Sequence, residues 1–78
     1  MVVYHGNRAE KIRLGTAKTL AECCAIMNDY LTANEIKSTQ YRRYFENEGL
    51  IQVDYGSWGN FFFIGGISVE KFLGLEGE

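Results

Sequence analysis

Residues 61–64 read Phe-Phe-Phe-Ile, four large apolar side chains in succession between Asn60 and the pair Gly65-Gly66. Successive side chains of a strand point to opposite faces, so a strand made of such a run needs cover on both sides of its sheet. In a chain of 78 residues cover is scarce, because a domain this small buries only about 60 to 65% of the surface its extended form exposes. The run therefore predicts a strand with helices on one side and the N-terminal segment or a partner on the other. Leu50-Ile51-Gln52-Val53-Asp54-Tyr55 alternates apolar and polar, sets Ile51, Val53 and Tyr55 on one face, and reads as the strand before it. Between them, Gly56-Ser57-Trp58-Gly59-Asn60 is dense in residues that tolerate unusual φ and predicts a hairpin turn.

The same signals organise the rest of the chain. Val2 to Tyr4 is β-prone, His5-Gly6-Asn7-Arg8 is turn-like, and Lys11-Ile12-Arg13-Leu14 alternates. These residues form either an N-terminal hairpin, with Ile12 and Leu14 on its apolar side and Lys11 and Arg13 on its polar side, or a single strand that pairs with the later hairpin. His5 reads as a turn or edge residue. Thr19-Leu20-Ala21-Glu22 matches a capping box, and Leu20, Cys23/Cys24, Ile26/Met27 and Tyr30/Leu31 recur at the spacing of a helix with one buried face, leaving Glu22, Asn28 and Asp29 to solvent. Thr32-Ala33-Asn34-Glu35 is a second capping box and Ser38 a third cap, from which Thr39 to Glu48 reads as a helix closed by Gly49. On it Tyr41, Tyr44, Phe45 and Glu48 share one side, while Thr39, Arg42, Arg43 and Glu46 lean outward. Residues 33–48 form one helix or two; a break at Lys37-Ser38 is favoured because a Ser-Thr pair prefers caps to helix interiors. Ser68 caps a last short helix from Val69 to Leu73, with Val69, Phe72 and Leu73 toward the core and an acidic tail beyond.

Composition excludes several classes. Hydrophobic residues at 46% and aromatics at 14% predict one folded domain over residues 1–78 and argue against disorder. No run approaches the ~18 apolar residues of a membrane span, and Met1 to His5 is too short for a signal peptide's apolar region, which predicts a cytoplasmic protein without a membrane partner. Cys23 and Cys24, adjacent on a helix, point about 100° apart and do not join each other, which fits a reduced setting; Cys24 reads as core and Cys23 as partly exposed. With His5 the single histidine, neither a metal site nor a cofactor is expected. There is no Gly-rich phosphate loop, no nucleophile with a base beside it and no spaced carboxylate pair, so no catalytic residue is assigned and the chain does not read as an enzyme.

The net charge of −2 is unevenly spread. Residues 1–20 carry Arg8, Lys11, Arg13 and Lys18 against Glu10, and residues 35–43 carry Lys37, Arg42 and Arg43 against Glu35. Residues 44–78 carry six acids against Lys71. A nucleic-acid role must then rest on one face, and the same segregation suits docking on a charged protein.

At Glu35-Ile36-Lys37-Ser38-Thr39, followed by Arg43-Tyr44-Phe45-Glu46-Asn47-Glu48-Gly49-Leu50-Ile51, the chain resembles the winged helix-turn-helix family of small DNA-binding domains, over about 34 residues from Leu31 to Ile64. The resemblance implies an α+β fold: a small winged helix-turn-helix with a short N-terminal strand or hairpin and a short C-terminal helix. It places Glu35 and Ile36 in a short second helix, Ser38 to Arg43 on the exposed face of a recognition helix, Phe45 on its buried side, and Gly56 to Asn60 at the wing tip. Such a helix presents Thr39, Gln40, Arg42 and Arg43 to base edges in the major groove, with Lys37 and Ser38 beside a phosphate. The resulting expectation is a sequence-specific transcriptional regulator that binds double-stranded DNA as a homodimer, since one such helix offers too few contacts alone. The alternative is a protein-binding inhibitor or adaptor of phage or mobile-element type on the same scaffold, docking on a larger protein through Trp58, Phe61 and Phe62.

Overall fold

The computed structural model describes residues 1–36 and 42–76. In chain order the elements are β1 (Val2–Gly6), β2 (Lys11–Thr16), α1 (Leu20–Ala33), β3 (Arg43–Asn47), β4 (Leu50–Asp54), β5 (Phe61–Gly65) and α2 (Val69–Glu76). The five strands form one antiparallel sheet in the order β2-β1-β5-β4-β3. The aromatic run is its central strand.

This is a sheet-dominated α+β fold, and it corrects the winged helix-turn-helix expected from Leu31 to Ile64. The decisive segment is residues 43–47, which are strand and not recognition helix. Their period-2 pattern places Tyr44 opposite Val53 and Phe45 opposite Gln52, and aromatic residues favour such a pleated surface. Gly49 is not a helix exit. Glu48 and Gly49 both have positive φ, 53° and 81°, the sign pattern of the type I′ turn whose twist matches two flanking strands. Asn47 pairs with Leu50 across it.

The second capping box is likewise an exit and not a start. Thr32 and Ala33 are the last residues of α1. The Ile36 amide donates to the Leu31 carbonyl at 2.9 Å and the Glu35 amide to the Thr32 carbonyl at 3.1 Å, the paired bonds of a Schellman motif. Glu35 holds the left-handed position, φ 57°, where glycine is usual. α1 thus ends here, and no second helix begins at Asn34.

Other elements follow their sequence signals. Thr19 caps α1 by accepting from the Glu22 amide at 3.2 Å, while the Glu22 carboxylate reaches back one residue further than the cap, to the Lys18 amide at 2.9 Å. Cys23, Met27 and Leu31 form the buried stripe of α1, so the two cysteines exchange the expected roles: Cys23 is core and Cys24 is half-buried. Residues 2–16 form the N-terminal hairpin, and β1 also pairs with β5, so both N-terminal readings hold together. Ser68 caps α2 through the Lys71 amide at 3.2 Å, and Phe72 is fully buried; the side chains of Val69 and Leu73 lie outside the described set.

In-register partners share a face. One face carries the rows Tyr44–Val53–Phe62–His5–Ile12 and Glu46–Ile51–Ile64–Val3–Gly15. Its buried residues pack with Cys23, Met27 and Leu31 of α1 and Phe72 of α2 in a single core. Ile51 and Val53, expected on one strand face, lie here; Ile36 is 37% exposed, Phe45, expected on the buried side of a helix, faces the other way, and Tyr41 lies outside the described residues. Among the described residues no helix is long and apolar enough to cross a membrane.

Because Glu48 spends backbone strain on a positive φ that asparagine adopts more readily, Glu48→Asn is expected to stabilise the protein by about 0.5 to 1 kcal/mol. Urea denaturation of the two proteins measures it; an unchanged or lower midpoint contradicts the turn assignment.

Candidate functional site

Two features gather at one end of the sheet. The β1–β2 loop, the start of β3 and the β4–β5 loop all lie there, since Gly6 pairs with both Lys11 and Phe61 and Arg43 pairs with Asp54. The first feature is the β4–β5 tip. Trp58 stands 99% exposed between Gly56 and Gly59, whose φ values of 93° and 81° are open to glycine. The tip is tied down at its base: Asp54 Oδ1 accepts from the Gly56 amide at 2.9 Å, and Tyr55 is buried in the core.

Tyr55 is held by His5, which sits in the core and not at a turn or edge. His5 Nε2 and Tyr55 Oη share a hydrogen bond of 2.7 Å, and the imidazole packs against Tyr30, Tyr55 and Phe62 with centroids 4.3, 5.8 and 5.0 Å away. Burial removes water from the imidazolium and lowers the His5 pKa. Burial likewise raises that of Tyr55, against a hydrogen bond with Ser57 that lowers it, with Tyr30 raising it further. Both partners are therefore neutral at neutral pH.

The second feature is the sheet face turned away from α1 and α2. The register assembles on it Arg13–Tyr4–Phe63–Gln52–Phe45, then Lys11–Gly6–Phe61 and Asp54–Arg43 toward the tip end, and Thr16–Val2–Gly65 with Leu50–Asn47 at the other. No described helix covers it. Phe63 is nonetheless fully buried, because Lys11 Nζ lies 4.6 Å from its ring centroid and Phe61 packs 6.3 Å away. Arg43 lies over the Phe45 ring at 5.7 Å. Arg8 reaches in from the β1–β2 loop and donates to Gln52 Oε1 at 3.5 Å, which also accepts from Asn47 Nδ2 at 2.8 Å. Gln52 is fully buried and its Nε2 has no partner among the described residues, a deficit that costs about 1 to 3 kcal/mol in a folded protein.

The residues singled out for DNA separate. Lys37, Ser38, Thr39 and Gln40 lie outside the described residues. Arg42 donates to Asn28 Oδ1 of α1 at 3.0 Å, and Arg43 is on the edge strand β3, so the two do not share a helix face. Of the protein-binding candidates, Trp58 is exposed, Phe61 is half-buried on the helix-free face, and Phe62 is fully buried on the helix side and serves the core. Tyr4, Arg8, Lys11, Arg13 and Gln52 were not singled out as site residues; Lys11 and Arg13 were placed on the polar side of the predicted N-terminal hairpin, and Arg8 with them in the basic segment 1–20. Among the described residues no group of three or more His, Cys, Asp or Glu side chains could hold a metal ion.

The buried imidazole makes stability depend on pH. The unfolded chain takes up a proton near pH ~6.5 and the folded chain only lower, so stability is greatest above that value and falls as the pH drops through it toward the lowered folded pKa. Urea midpoints between roughly pH 7.5 and 5.5 should decline for the wild type and stay flatter for His5→Gln; parallel profiles would exclude His5 as the cause.

No family model, no curated protein and no solved structure matches this chain.

Proposed function

We propose that the chain is a small protein-docking module, an adaptor or inhibitor of a larger protein, with Trp58 as its anchor. The observation that carries this reading is the indole, 99% exposed on a turn whose base is fixed in the core. The largest apolar side chain of the sequence stabilises nothing in the fold from that position. It is, however, the side chain most suited to fill a partner's pocket: rigid, amphipathic and enriched among residues that dominate binding energy. The Asp54 turn and the Tyr55–His5 bond order the tip in advance, which lowers the entropy lost on docking. Arg8, Lys11 and Arg43 border the same end of the sheet, so the pocket that fits best is apolar with a carboxylate rim.

The double-stranded DNA reading rested on a recognition helix over residues 39–48. Within that range residues 43–47 are strand, so the groove-filling element is not available to carry it.

Trp58 is the single tryptophan, so intrinsic fluorescence reports on the tip alone. Trp58→Ala should leave stability within about 0.5 kcal/mol of wild type while abolishing capture of a partner that an Arg42→Ala variant still captures. Binding of that purified partner should shift the Trp58 emission to the blue. A partner retained by Trp58→Ala, or a complex in which the emission does not move, refutes the anchor.

A further inference from the structure

We propose that the helix-free face of the sheet binds single-stranded nucleic acid, with its aromatic rings stacking on bases and Arg8, Lys11, Arg13 and Arg43 meeting phosphates. This surface adjoins the Trp58 tip and shares Arg8, Lys11 and Arg43 with its border, but the inference does not depend on docking at Trp58.

Charge is the first argument. The chain carries −2 overall, yet the strand residues of this face bring Lys11, Arg13 and Arg43 against Asp54 alone, and Arg8 joins them from the loop. Asp54 is engaged with the Gly56 amide. An acidic protein that brings four of its eight cations to one face offers a polyanion a place to bind.

The second argument is what lies between the cations. Tyr4, Phe45 and Phe61 are half-buried rings on the same face, so part of each remains open, with Phe63 as the floor beneath Lys11. From Tyr4 on β1 to Phe45 on β3 is three strand spacings, about 14 Å, room for a short run of nucleotides laid across the strands. Base stacking on aromatic side chains and on guanidinium planes is how flat sheet surfaces hold single strands, and it does not require a groove-filling helix. A duplex keeps its bases stacked on one another and has no free ring face to offer.

Gln52 supplies the third. It is fully buried at the centre of the face with an amide donor that no described group accepts, and the guanidinium of Arg8 sits against its carbonyl at 3.5 Å. In the proposed complex that donor meets an acceptor on a base edge, and every base carries one. An acidic peptide satisfies the cations but offers no planar groups to the rings.

Fluorescence anisotropy with the full-length chain and labelled oligo-dT and oligo-rU of about 15 nucleotides tests this at low salt. Expected is saturable binding of at least one of them whose log K falls with log salt, by about 0.7 for each phosphate neutralised. Phe45→Leu, which keeps an apolar side chain on the strand, should weaken it roughly tenfold. Arg13→Glu with Arg43→Glu should weaken it further and flatten the salt slope, while Trp58→Ala leaves it within about threefold of wild type. Circular dichroism melts confirm that each variant is folded, and Arg13→Gln with Arg43→Gln replaces the charge reversal if that pair does not fold. The proposal is overturned by no binding of either strand, by equal or tighter binding of a duplex of the same length or of polyglutamate, or by binding that the charge variants retain.

Discussion

The central strand sets the terms for everything around it. Phe62 and Ile64 point to one side of the sheet and Phe61 and Phe63 to the other, yet the chain has helix enough for one side. α1 contributes Cys23, Met27 and Leu31, and α2 contributes Phe72, to cover the first pair. Over the second pair lie cationic side chains instead: the Lys11 ammonium stands 4.6 Å from the Phe63 ring centroid, and Arg8 of the β1–β2 loop spans to Gln52. A cation over an aromatic face is attracted by the ring that it shields. The shortage of helix thus accounts for a face that is aromatic beneath and basic on top.

Much of the fold was legible because periodicity and caps agree there. β4 and β5, their turn, α1 from Thr19, the N-terminal hairpin and the Ser68 cap each follow from local signals that no neighbour contradicts. The failure at residues 32–48 is specific. Tyr44 and Phe45 satisfy both a helical and an alternating pattern, and Gly49 after Glu48 serves a helix exit and a type I′ turn equally well. What decides is non-local: β4 offers Val53 and Gln52 as partners, and pairing outweighs a weak helix propensity. At Thr32 to Glu35 the misleading element is Glu35, which looks like a capping-box acid and instead occupies the left-handed position that ends α1. Cys23 and Cys24 show the same limit on a smaller scale, since residues 100° apart both flank the stripe and only the sheet beneath selects between them.

The candidate surfaces differ in legibility for related reasons. Trp58 stood out from its own neighbours as an indole in a glycine-bearing hairpin turn, where sequence allows it either to fold back on the hairpin or to project; it projects, 99% exposed. The basic face did not stand out, because its members come from five strands and a loop and meet through an order in which the first strand sits between the second and the fifth. Arg43 was recognised as basic and assigned to a helix; on β3 it faces the same way as Phe45 and stands on the same sheet face as Lys11 and Arg13, which are remote from it in sequence. Charge that is segregated along the chain becomes charge segregated across a sheet. His5 shows the converse, a residue bland in sequence that the β1–β5 pairing carries into the core beside Tyr55.

Gln52 ties the two faces together. At the centre of β4, between Phe45 and Phe63 in register, an aliphatic residue would complete an apolar surface able to recruit a second helical layer or another copy of the sheet. The amide prevents this: it draws Asn47 and Arg8 over itself, and leaves a donor whose desolvation is not repaid within the described structure. Buried polar groups carrying such a deficit persist where a function uses them or where they exclude a competing arrangement. In the proposed binding of single strands the two coincide, because a polar residue at the centre of this face disfavours a second layer and so leaves its aromatic rings open to the ligand.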